Sequence, residues 1–169
     1  ETNMTQTLKL QLAVTALILF FSLIEALILS RKKDSTFDWW EAALSVGDMV
    51  GRRLLGLLPL TLAAPVYEWL WPHRLFTIPL DSVASFLLLF FGLEFFYYWY
   101  HRTAHRVRFF WATHMVHHSP NQLTLSTAFR LGWTGKLTGT GLFFTPLMFL
   151  GFEPKVVLAA LSLNLLYQF

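Results

Sequence analysis

Residues 8–29 form an apolar block whose one acid is Glu25. A helix of about 20 residues crosses the ~30 Å hydrocarbon core of a bilayer. In lipid every backbone N–H and C=O must find its partner inside the chain, so a single block of this kind can only be a helix. Two further blocks of similar length follow, Leu54 to Trp71 with Pro59 and Pro65 inside it, and Ser82 to Tyr100. A last pair, Leu137 to Phe152 and Val156 to Phe169, is divided by Glu153-Pro154-Lys155. The proline and the charges predict a tight turn there, and hence a helical hairpin over 137–169, spanning or re-entrant. Only 14% of residues are charged, and mean hydropathy is +0.50. Soluble domains carry about 25% charged residues. The predicted fold class is therefore all-α: an integral membrane helical bundle, one membrane domain over residues 1–169.

Between the first two blocks, residues 34–50 mix Trp39 and Trp40 with several acids, which predicts a short helix lying at the membrane interface. Glu25 is costly in lipid and is expected to face protein or lie near the interface. Basic residues come in patches: Arg31-Lys32-Lys33, Arg52-Arg53, and Arg102 with Arg106 and Arg108. The positive-inside rule puts all three on the cytoplasmic face if spans one, two and three run inward, outward and inward. A net charge of +3, clustered in this way, does not suit a nucleic-acid partner. With no cysteine there is no disulfide framework, thiolate metal site or cysteine nucleophile. The absence of an initiator methionine and the apolar C-terminal run lead us to expect a fragment, truncated at its C-terminus.

Five of the six histidines fall within residues 101–118. His101 and His105 are four apart, and His114, His117 and His118 are three and four apart, so each group shares a helical face. Imidazoles on one face can bind a single cation, and imidazole suits zinc, iron, copper and nickel. At about 100° per residue, the nine steps from His105 to His114 would aim the groups apart on one straight helix. The chain must therefore bend between Arg106 and Trp111, with a second helix carrying His114 to His118 and stopping before Pro120. His73 lies at the far end of the third span and is not expected in the cluster.

"HRTAH" fits HxxxH and "HMVHH" fits HxxHH, and both follow the aromatic-rich "LEFFYYWYHR". In these features the chain resembles the fatty acid hydroxylase/sterol desaturase superfamily, most closely over about residues 80–130. The resemblance implies a membrane-bound, non-haem di-iron enzyme that uses O₂ and a cytoplasmic electron donor to hydroxylate or desaturate a lipid. It also implies that His101, His105, His114, His117 and His118 ligate the two iron ions. Glu94, seven residues before the first box, and Arg130 in "STAFR" become candidates for orienting an imidazole or a bound water. Their plainer alternatives are a helix-packing acid and an arginine reaching to the interface. Family members carry a third HxxHH box after a hydrophobic hairpin, which is expected beyond Phe169, so five histidines alone make an incomplete site. Where members often have Asn, this chain has Thr124.

Three other readings compete. The histidines could form a pH-responsive or headgroup-binding patch, since imidazole titrates near neutrality. The protein could be a non-enzymatic metal-binding scaffold. A zinc hydrolase would need a glutamate beside the ligand pair, which neither box supplies. Residues 95–100 are either part of a lipid channel or an aromatic belt at the interface.

Overall fold

The computed structural model describes residues 2–33, 35–58 and 61–167, and among these it contains helices and connecting segments but no strand. The first helix, α1 (Thr2–Ser30), contains the apolar stretch Leu12–Ser30, long and apolar enough to cross a membrane. The second such helix is α4 (Val83–Arg106). It starts at a reciprocal cap, with Ser82 Oγ accepting from Ser85 N and Ser85 Oγ from Ser82 N, which satisfies N–H groups that the first turn leaves without partners. α4 runs six residues past the predicted end of the third span and carries the whole first histidine box.

Between them lies α2 (Trp39–Leu55), at the position predicted for an interfacial helix. Asp38 caps it by accepting from Trp40 N and Glu41 N at 2.7 and 3.3 Å. Glu41 in its first turn and Arg52 and Arg53 in its last complement the helix dipole.

The expected span over 54–71 is not one helix. α2 ends at Leu55 and the next helix, α3, covers only Ala63–Leu70, followed by a 3-10 turn at Trp71–His73. Proline has no N–H and is tolerated only in the opening turn of a helix. Pro65 and Pro72 each sit in such an opening turn, so each starts a short element where an unbroken span would need a continuous ladder. The chain then reaches α4 as an extended segment. Leu75, Phe76 and Ile78 donate their N–H groups to the carbonyls of Phe149, Leu150 and Gly151.

The C-terminal part is a hairpin, as the turn residues predicted. A 3-10 turn at Thr140–Phe144 leads into α6 (Thr145–Leu150), and α7 (Pro154–Tyr167) returns; Gln168 and Phe169 lie outside the described residues. Here α5 denotes the short helix Arg108–His114. The hairpin packs on α3 and α4 through Tyr67, Leu89, Leu93, Phe144, Leu147, Met148, Phe152 and Val157. Packing between helices in lipid relies on close fit rather than on exclusion of water. Gly92 provides it on α4, where a Cβ would come within 2.6 Å of Leu147 Cδ2.

Gly151 makes the hairpin turn with φ +136°, and a Cβ there would lie 2.5 Å from the Phe76 carbonyl oxygen. Backbone strain and overpacking then act together in Gly151→Ala, each worth roughly 1–3 kcal/mol. We expect this variant to lower the thermal unfolding midpoint of the detergent-solubilised protein by several degrees. An unchanged midpoint would contradict the docking of residues 75–78 on the end of α6.

Candidate metal centre

α4 delivers His101 and His105 one turn apart on its last two turns. The helix stops at Arg106 because Val107 is extended (φ −109°, ψ 119°), and α5 starts on the next residue. This is the predicted bend. α5 itself ends at His114, however, so His117 and His118 sit in the turns that follow rather than on the helix. The turn is tighter than the predicted helix, with His117 N and His118 N donating three residues back, to His114 O and Met115 O.

Four of the five histidines converge. One ring nitrogen from each of His101, His105, His114 and His118 lies within 4.8 Å of all the others. The Nε2 atoms of His101 and His105 are 2.9 Å apart, those of His105 and His114 3.2 Å, and those of His114 and His118 3.1 Å. Bonds of about 2.1 Å from imidazole to a divalent cation at right angles place neighbouring nitrogens about 3.0 Å apart. The donor set therefore fits a divalent transition-metal ion.

Protonation suits that role as well. Burial and then the charges of His101, His118, His105 and His117 push His114 down to about 4. Burial and then His117 and His105 lower His118 in the same direction. Only neutral imidazole ligates, so His114 presents its lone pair at neutral pH.

His117 stands beside this group, its ring centroid 5.7 Å from that of His114 and 5.2 Å from that of His118. Its Nδ1 donates to the Arg130 carbonyl at 3.1 Å. His73 is elsewhere, stacked on Trp69 with its Nδ1 2.7 Å from the Trp69 carbonyl.

The two candidate supporting residues have different fates. Glu94 accepts a hydrogen bond from Asn164 Nδ2, which ties α4 to α7. It is outside the converging group because seven residues put it about 10 Å along the helix from His101. Arg130 is 7% exposed. Its guanidinium donates to Ser45 Oγ, Ser119 Oγ and the Glu41 carbonyl at 2.9, 3.2 and 2.8 Å. It is thus a buried anchor and does not extend to the interface.

Sequence reasoning missed the carboxylates that hold the chain after the second box. Glu25 Oε2 accepts from Leu125 N at 2.6 Å, so this acid faces protein as expected. Glu41 accepts from Asn121 N and Nδ2, and Asp48 Oδ2 accepts from Leu131 N at 3.1 Å. A signal was present: positions 41, 45 and 48 follow the i, i+4, i+7 spacing of one helical face. Its partners, though, lie more than 70 residues away. Thr124 fills its position with a bond to Ser126 Oγ at 2.9 Å. Of the aromatic run, Phe95, Tyr98 and Trp99 are exposed, whereas Phe96 and Tyr97 pack on the core.

With this geometry in view, the comparisons with known proteins are informative. The fatty acid hydroxylase family model matches residues 86–169, which include both boxes. The chain belongs to the fatty acid hydroxylase family. It is 36% identical over 153 residues to alkylglycerol monooxygenase of Homo sapiens, covering 90% of this chain and 34% of the relative. It is 39% identical over 127 residues to that of Danio rerio, covering 75% of this chain and 28% of the relative. The chain therefore spans about a third or less of the length of these curated relatives. No solved structure matches it. Together with α1 and α4, this family identifies an integral membrane protein.

Of the four converging imidazoles the buried His114 is the one whose Nε2 meets both His105 and His118. His114→Ala should weaken divalent transition-metal binding to the full-length protein by at least about 100-fold, the upper range for loss of an imidazole's supporting partner. His73→Ala should leave it unchanged. Equal metal affinity of the two variants in a chelator competition would remove His114 from the group.

Proposed function

We propose that the complete protein is an O₂-dependent monooxygenase of a membrane lipid, and that its substrate is an ether lipid of the alkylglycerol type. The observation that carries this reading is the convergence of four imidazoles at the end of the membrane-spanning helix α4. The names of the relatives favour hydroxylation over desaturation and point to the substrate class. His101, His105, His114 and His118 would hold one iron, and His117 would present its Nε2 toward a neighbouring one. When bound, the irons supply reductive activation of O₂ and removal of hydrogen from an unactivated C–H bond.

The rest of the work falls to the chain. α4 and α5 fix the imidazoles on rigid helices, and Arg130 and the carboxylates of α1 and α2 hold the following loop. Phe91, Tyr98 and His105 succeed one another at seven-residue steps along one face of α4, and all three are exposed. An alkyl chain lying on that face would pass over apolar rings and end beside the imidazoles, so the reacting carbon need not leave the bilayer. The basic patches favour a cytoplasmic face for the histidine boxes, where a cytoplasmic electron donor would reach them.

In membranes containing the full-length protein, iron and a competent reductant, alkylglycerol should be consumed with O₂ and gain one oxygen atom. His105→Ala should abolish the reaction. An intact iron centre that leaves alkylglycerol untouched would overturn the substrate assignment. O₂ consumption equal in the wild type and in His105→Ala would overturn the enzyme.

A further inference from the structure

His117 is oriented by a backbone carbonyl, and a carbonyl is only as well placed as its peptide. The Arg130–Leu131 peptide is held on both sides. Its C=O accepts from His117 Nδ1 at 3.1 Å, and its N–H donates to Asp48 Oδ2 at 3.1 Å. In a trans peptide these two groups lie in one plane and point in opposite directions. The unit therefore reads, in line, Asp48 carboxylate, peptide, imidazole.

We propose that Asp48 is a positioning residue for His117, acting through the Arg130–Leu131 peptide. Metal-binding histidines commonly donate their second ring N–H to a carboxylate or a carbonyl, which fixes the tautomer and raises the basicity of the ligating nitrogen. Here the two devices are joined in series. The Asp48 charge polarises the peptide, as hydrogen bonds in a chain strengthen one another. The carbonyl then holds His117 as the Nδ1–H tautomer, which leaves the Nε2 lone pair free for a cation.

Two features show that the peptide, and not only the loop, is being held. The Arg130 side chain is clamped on the same helix by Ser45 Oγ and the Glu41 carbonyl. Asp48 is itself tied to the far side of the loop, because its backbone carbonyl accepts from Trp133 Nε1 at 3.1 Å. Residues 130, 131 and 133 are thereby fixed to α2 at three points. Glu41 also takes a loop amide, but ten residues earlier, at Asn121, where no peptide bond leads to His117. It serves as the internal control.

The inference rests on the metal reading above, and the test separates the two. Asp48→Asn keeps an oxygen able to accept from Leu131 N and removes the charge; Asp48→Ala removes both. In the full-length protein, iron affinity by chelator competition should fall about tenfold in Asp48→Asn and up to about 100-fold in Asp48→Ala. The Mössbauer quadrupole splitting of ⁵⁷Fe should change in both, and the unfolding midpoint of metal-free Asp48→Asn should stay near that of the wild type. Glu41→Gln should retain wild-type affinity and spectrum. Wild-type affinity and spectrum in Asp48→Asn would overturn the proposal, as would equal losses in Asp48→Asn and Glu41→Gln. Failure of the wild-type protein to bind iron would instead overturn the metal reading.

Discussion

The chain after the second histidine box lies against α1 and α2, and three carboxylates hold it there through its backbone amides. Glu25, Glu41 and Asp48 accept from Leu125, Asn121 and Leu131 respectively. A hydrogen bond to a charged acceptor contributes about 1.5–3 kcal/mol net where it is shielded from water, as at the part-buried Leu125 and Leu131 amides; the Glu41–Asn121 pair is exposed. The Asp48 bond fixes the peptide whose carbonyl holds His117, while the Glu25 and Glu41 bonds fix the chain nearer the second box. In a chain with ten acids, three are committed to holding one loop.

The second constraint is the break at Val107. Two helical boxes on one straight helix would face apart, and a long flexible linker would leave their relative position undefined. One extended residue, Val107, breaks α4 from α5 with almost no slack. α5 is also anchored from outside, where Thr113 Oγ1 and Thr134 Oγ1 share a 2.6 Å hydrogen bond and Gly132 (φ +72°) passes against the Thr113 carbonyl. Burial and like charge hold His114 near 4, so the fold keeps this donor in the form that binds a cation.

The all-helical class, the two long membrane helices, the hairpin and the bend between the boxes were legible in the sequence, because each follows from local chemistry. Block length, helical spacing of histidines and the turn residues around Pro154 act within a few positions of one another. The failures are also physical. The 54–71 block is apolar enough to span, but hydropathy does not register that Pro65 falls in the opening turn of a separate helix. The prediction of a helix through His118 took imidazole spacing as evidence of helix, yet spacings of three and four occur equally in tight turns. The spacing places Glu94 on the His101 face about 10 Å along the axis, too far to share a metal ion with it, but does not give its partner. Its contact with Asn164 depends on the return of α7, 70 residues later.

The role of α2 lay furthest from view. By sequence it is an amphipathic interfacial helix, and nothing in its own composition distinguishes an anchoring face from a solvated one. The difference arises only when the loop after the second box arrives and finds Glu41, Ser45 and Asp48 in register. The region matched by the family model begins at Phe86, inside α4, so it contains the imidazoles but not the helix that orients one of them. A metal centre of neutral nitrogens in a membrane protein needs negative charge nearby, yet a carboxylate bound directly would compete for coordination. Placing the charge one peptide away meets both demands: Asp48 polarises the carbonyl that holds His117 while its Oδ2 accepts from Leu131 N. The histidine-bearing segment and α2 are on this argument one functional unit, although they are separated in the sequence by a whole membrane-spanning helix.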